Sequence, residues 1–180
     1  MRIVLALLLY LLSIPCMAGA VRVDRLPYEY INTFLSNPGE TLHAFLLRVG
    51  PELRAYSDQT TFEACAAIAA VNAPRNAYGV VIGTNRSHMG CVIAVKRVPE
   101  GMSWTGETIH SHGKSGRAFY MNKSDKILAG LDGNSGLIPI AGQDINHFSA
   151  IDLQGPGGYL ATGGGVIYVA KGSENEISLH

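Results

Sequence analysis

Cysteine and charge are scarce in this chain, with three cysteines among 180 residues and a charged fraction of 16% in which 14 basic residues balance 14 acidic ones. Each scarcity excludes something. Without a basic surplus there is no electrostatic footprint for nucleic acid or for an anionic membrane surface. A metal site built from cysteine thiolates would need more of them, closely spaced. Long apolar runs are also missing beyond the first residues, so no later segment reaches the roughly 20 apolar residues that span a bilayer. Internal repeats and low-complexity linkers are absent as well.

What is present begins with Met1-Arg2, an apolar run from Ile3 to Ile14, and Cys16-Met-Ala-Gly-Ala20. A positive start, a short apolar middle and an A-x-A-like end read as a signal peptide over residues 1–20, cleaved after Ala20. Cys16 would be a lipoprotein cysteine in a rival reading, but Pro15 stands where a small residue is wanted, and ordinary cleavage is the expectation. The mature protein is then periplasmic or secreted, with no integral membrane segment. Cleavage takes Arg2 from the basic count, leaving 13 against the 14 acidic residues. About 160 residues remain, one domain with room for a core. Nearly half the residues are apolar and glycine is abundant at 21, which fits a globular chain. Cys65 and Cys91 are the thiols left after cleavage. In an oxidising compartment they suggest a disulfide, and two separate buried thiols are the alternative.

Residues 21–39 read as a helical lead-in, because the apolar residues from Pro27 to Ser36 recur at helical spacing, as they do again from Thr41 to Ser57. Pro38-Gly39 separates the two helices, and Pro51 is placed to kink the second. Thr61 to Val71 suits either a helix, by its alanines, or a short buried strand. Asn72-Ala-Pro makes a turn. Tyr78 to Thr84 reads as a strand and Gly90 to Val98 as its hairpin partner, with His88 a polar turn residue; Glu107 to His112 is a third strand. Residues 113–147 form an extended insertion with a short helix over Lys123 to Leu131. Tyr159–Thr162 and Val166–Ala170 read as strands around a glycine turn, and residues 172–180 as a flexible tail. The glycines at 155–165 do not make a phosphate loop, since no Lys-Ser/Thr and no helix follows them.

His110-Ser111-His112 ends the third strand, and alternate strand residues face one side, so both imidazoles project together. That is how two ligands of one metal are presented, although packing alone also produces the pattern. Asp152 adds a third ligand of a type zinc accepts, and three protein ligands plus an open position describe a catalytic zinc site. Glu63 is placed to exchange a proton with water and leaving group, and Ser149 to support an oxyanion. Ser149-Ala-Ile-Asp152 is equally a helix start, with serine as cap. His43 and His147 receive no role, although His147 could be an extra ligand or substrate contact.

These residues resemble the JAMM, or MPN-plus, metallopeptidases, which carry a pattern like E-x-C-G-x-L, then H-S/T-H-P, then S-x-x-D. Glu63-Ala-Cys-Ala-Ala-Ile, His110-Ser-His-Gly and Ser149-Ala-Ile-Asp152 are similar to the three parts in order, and the likeness covers roughly residues 40–171. It implies a mixed α/β (α+β) sheet flanked by helices, a cytidine-deaminase-like sandwich in which the glutamate segment leads into a strand. It also implies one Zn²⁺ held by His110, His112 and Asp152, with Glu63 and Ser149 catalytic, in a hydrolase of peptide or isopeptide bonds; with the signal peptide, and a bacterial source assumed, the expectation is an exported member. Ala66 replaces the family's glycine, Gly113 its proline, and the stretch between His112 and Ser149 is longer than usual. A second alignment, starting at Tyr78-Gly-Val-Val-Ile-Gly, would put Ala77 at the glutamate position. The expected substrate is a peptide, protein or peptidoglycan peptide cut at an amide bond. The alternatives are an inactive MPN-like scaffold and a structural envelope protein with incidental histidines, and neither should hold stoichiometric zinc.

Overall fold

The computed structural model describes residues 25–71, 77–92, 97–113, 118–131 and 136–180. The signal peptide, its cleavage point, Cys16 and the turn at Asn72 to Pro74 lie outside the described residues.

A strand, β1 (Glu29–Leu35), opens the fold and is followed by α1 (Leu42–Thr60), β2 (Ala64–Val71), β3 (Ala77–Thr84) and β4 (Ser103–Ser111). Then come β5 (Ala118–Tyr120), α2 (Lys123–Leu128), β6 (Pro139–Ala141), α3 (Ala150–Leu153), β7 (Gly157–Thr162), β8 (Gly165–Ala170) and β9 (Ile177–Ser178). Seven strands form one sheet in the order β1-β3-β2-β4-β7-β8-β9, and β5 pairs with β6 in a separate two-stranded ribbon. The β4–β7 pair is parallel and the other pairs are antiparallel, so the sheet is mixed and the fold α+β. The long connection that parallel pairing demands is where α2, the ribbon and α3 reside.

Thr41 caps α1 by accepting from the Ala44 amide, and the buried stripe Phe45, Leu46, Val49 and Leu53 recurs at helical spacing against one face of the sheet. Pro51 lies within this helix, which continues through it to Thr60. Gly50 is where α1 meets β8: a side chain there would sit 2.5 Å from a Val166 methyl. Ala64, Ala66 and Ile68 of β2, Val80 and Ile82 of β3, Ile109 of β4 and Ala161 of β7 complete this core. The alanine-rich segment is thus a central strand. Its small side chains fit between helix and sheet, and packing overrides helix propensity.

Three expectations are corrected. Glu29–Leu35 is an edge strand, not a helix: it pairs with β3, and the register slips between Tyr30 and Asn32. That bulge resets the alternation, so Ile31 and Phe34, three residues apart, both pack on the core and imitate helical spacing. β3 pairs with β1 and β2, not with residues 90–98; Gly90–Val92 are not in a strand, and 93–96 lie outside the described residues. The tail is docked where a free one is expected: β9 pairs with β8 and Leu179 is buried.

Candidate metal centre and cleft

Alternation along β4 sorts its C-terminal residues onto two faces. Ile109 and Ser111 point to α1, where the Ser111 hydroxyl meets the Ser57 hydroxyl at 2.7 Å. His110 and His112 project to the opposite face, as the sequence predicts. There the two Nε2 atoms are 3.2 Å apart, Asp152 Oδ2 is 3.1 Å from His112 Nε2, and Asp152 Oδ1 is 3.5 Å from His110 Nε2. Bonds of about 2.0–2.1 Å at tetrahedral angles would set neighbouring donors ~3.3 Å apart. The residues present therefore fit a metal ion, and these three form a group that could hold one.

The hydrogen bonds around the group support that use. His112 Nδ1 lies 2.6 Å from the Asp144 carbonyl, which can only accept, so Nδ1 carries a proton and donates it. In the neutral ring the Nε2 lone pair then faces His110 and Asp152. Lone pairs facing a carboxylate repel, and the arrangement is satisfied by a cation or an added proton among the three. Accordingly, burial alone would lower the His112 pKa, but the hydrogen bond to Asp152, the Glu63 charge and the Asp144 carbonyl together raise it. At Asp152 burial works upward, yet hydrogen bonds from His110, His112 and Ser149 hold the carboxyl well below the usual range.

Ser149 caps α3 in a capping box with Asp152: its hydroxyl accepts from the Asp152 amide while the Asp152 carboxylate accepts from the Ser149 amide. The hydroxyl also donates to Oδ2 at 2.5 Å. The four-residue helix thus presents Asp152, the third candidate ligand, on a turn closed by its own capping box.

Glu63 sits one residue before β2, its amide donating to the Ser87 carbonyl and its carbonyl accepting from the Thr84 hydroxyl. Its side chain is buried, and burial pushes its pKa up to about 8, partly offset by the His112 charge and a Gln143 hydrogen bond. Glu63, His110, Ser149 and Asp152 line a common cleft of about 400 Å³. Ala77, the residue the second alignment would place here, pairs with Val71 at the far end of β2, whereas Ala64 at the near end pairs with Ser111. Gly113 is also constrained: a side chain there would lie 2.3 Å from the carbonyl oxygen of Thr61, whose left-handed backbone (φ 69°) ends α1.

Cys65 and Cys91 form a disulfide, tying the strand that follows Glu63 to the loop beside the cleft. Sequence reasoning missed what holds the insertion down. Asp125, fully buried, accepts from the Ser87 hydroxyl at 2.6 Å, from the His88 amide at 2.8 Å and from the Asn122 amide at 3.0 Å; His88 Nδ1 lies 2.8 Å from its Oδ2. His88 is therefore an anchored residue, its ring between Phe62 and Phe119, and not a merely polar turn residue. Gln143 and the Asp144 carbonyl reach the site from the same insertion, and no local motif marks them. His147 stands apart, 66% exposed and paired with Glu176 at 2.7 Å, and His43 is exposed on α1. Among the described residues no helix is long and apolar enough to cross a membrane. Comparison with protein-family models, curated proteins and solved structures finds no match to this chain.

Proposed function

We propose that the protein is an exported, zinc-dependent hydrolase of the JAMM type that cleaves a peptide or isopeptide bond. One observation carries the reading: three donors of zinc-accepting type converge at 3.1–3.5 Å with the His112 tautomer fixed, and a buried glutamate opens onto the same cleft. His110, His112 and Asp152 would hold the ion, which fits the known preference of zinc for imidazole and carboxylate in catalytic sites. The chemistry supplied by zinc in such a site is Lewis acidity, which brings the pKa of water towards neutrality and polarises a carbonyl.

The chain's own residues do the rest. Glu63 takes the proton of the attacking water and returns it to the leaving nitrogen. A carboxyl pushed towards neutrality by burial can both hold and release a proton near pH 7, and positive charge at the three donors brings it down further. Ser149 keeps Asp152 in place, and its hydroxyl supports the developing oxyanion after turning from Oδ2 towards the cleft. The disulfide accords with an exported protein.

Elemental mass spectrometry of purified protein tests the reading. About one zinc per wild-type chain, lost in His112→Ala, is expected; no zinc in either, after zinc is offered at neutral pH, refutes it.

A further inference from the structure

The cleft has a wall that hydrolysis does not require. Met89 and Val92 come from the loop that carries Cys91, Leu128 from the end of α2, and Phe148, Ile151 and Pro156 from the segment around α3. Three separate stretches of chain thus converge to surround one space with apolar side chains, which makes it a built pocket rather than a stray patch. Phe148 has a structural use, buried with Leu160 and Val169 and edge-on to the His110 ring. Ile151 has none: it is 79% exposed beside a metal-competent carboxylate, at the mouth of the cleft. Glu63 and Asp152 are the carboxylates lining this space, and no lysine or arginine among the described residues joins them.

The wall is also held still. The Cys65–Cys91 bond pins one side of it, Gln143 Nε2 donates to the Met89 carbonyl at 3.2 Å, and Leu128 closes on Gly90, where an added side chain would lie 3.6 Å from a Leu128 methyl. A wall fixed before binding spends little of the binding energy on ordering itself.

We propose that this cleft receives an uncharged, apolar stretch of peptide, with a side chain the size of Leu, Met or Phe beside the scissile amide, and rejects a carboxylate in that position; this rests on the hydrolase reading. An apolar side chain placed there leaves water against six apolar neighbours. A carboxylate would lose its hydration and, among the described residues, meet no lysine or arginine lining the cleft, with Asp152 close by. Internal bonds of extended protein segments then suit the site, and peptidoglycan stem peptides, dense in free carboxylates, do not.

The test measures binding apart from turnover. Zinc-loaded Glu63→Gln protein is titrated with N-acetylated, C-amidated hexapeptides that differ at one central residue, Leu, Lys or Glu. The Leu peptide should bind about tenfold or more tighter than either charged analogue, the discrimination expected of an apolar pocket. Ile151→Asp, an exposed substitution, should erase most of that preference. Equal binding of all three, tighter binding of a charged peptide, or no binding at all overturns the proposal. Turnover by the wild-type protein reports separately: apolar preference without turnover removes the hydrolase reading and leaves the apolar cleft, while turnover without preference does the reverse.

Discussion

The two faces of the seven-stranded sheet come from the same strands and solve opposite problems. The face towards α1 is covered by one amphipathic helix and filled with Phe45, Leu46, Val49, Leu53, Ile68 and Ile109, all fully buried. The other face, made by the intervening residues, carries Glu63, His110, His112 and a disulfide, and is covered by an insertion held by polar contacts. Apolar burial stabilises without direction, whereas every buried polar group must find a partner at a set distance. The helix face can therefore supply stability while the insertion face holds ionisable groups in positions that cost free energy to maintain.

Changes on each face should separate these roles. The largest effect is expected at Glu63: Glu63→Gln should lower turnover by about 10²–10⁴-fold, the usual contribution of general acid-base catalysis, with zinc content unchanged by elemental analysis. On the opposite face, Ile68→Ala should cost about 2–5 kcal/mol in denaturant unfolding while the zinc stoichiometry stays near one; loss of metal in that variant would break the separation. The third effect appears with pH after removal of metal by chelation. Glu63 has a folded-state pKa of about 8 against an ordinary value of 4.5, so the folded chain binds the extra proton. Its contribution to stability is fully present below pH 4.5 and is lost as pH rises towards 8. Thermal unfolding of the metal-free protein should therefore fall across that window, and Glu63→Gln should flatten the fall. A still smaller effect sharpens the contrast within the insertion: Asp125→Ala, leaving buried donors unpartnered, should cost about 1–3 kcal/mol. Hydrogen exchange should quicken in residues 118–131 and not in α1.

The same contrast decides what could be read without coordinates. The α1 stripe, the strands β7 and β8, and the shared face of His110 and His112 follow from spacing alone, because periodicity reports which side of an element meets a neighbour. Asp152 and its cap were legible because Ser149-x-x-Asp152 is a local motif, closed by hydrogen bonds within four residues. Asp125 was not, since its partners Ser87 and His88 lie 38 and 37 residues away and no pattern links them. The Asp144 carbonyl is a backbone group that any residue would supply. β1 imitates a helix in sequence because a bulge, a property of its pairing with β3, breaks the alternation that marks a strand.

The disulfide links these matters to the history of each molecule. Cys65 belongs to the central strand and Cys91 to the cleft wall, so the bond joins the sheet to the loop that lines the cleft. A chain whose thiols are reduced has the same apolar residues to pack against α1 and lacks the covalent tie between strand and wall. Whether that tie is in place therefore depends on the redox conditions the chain has met.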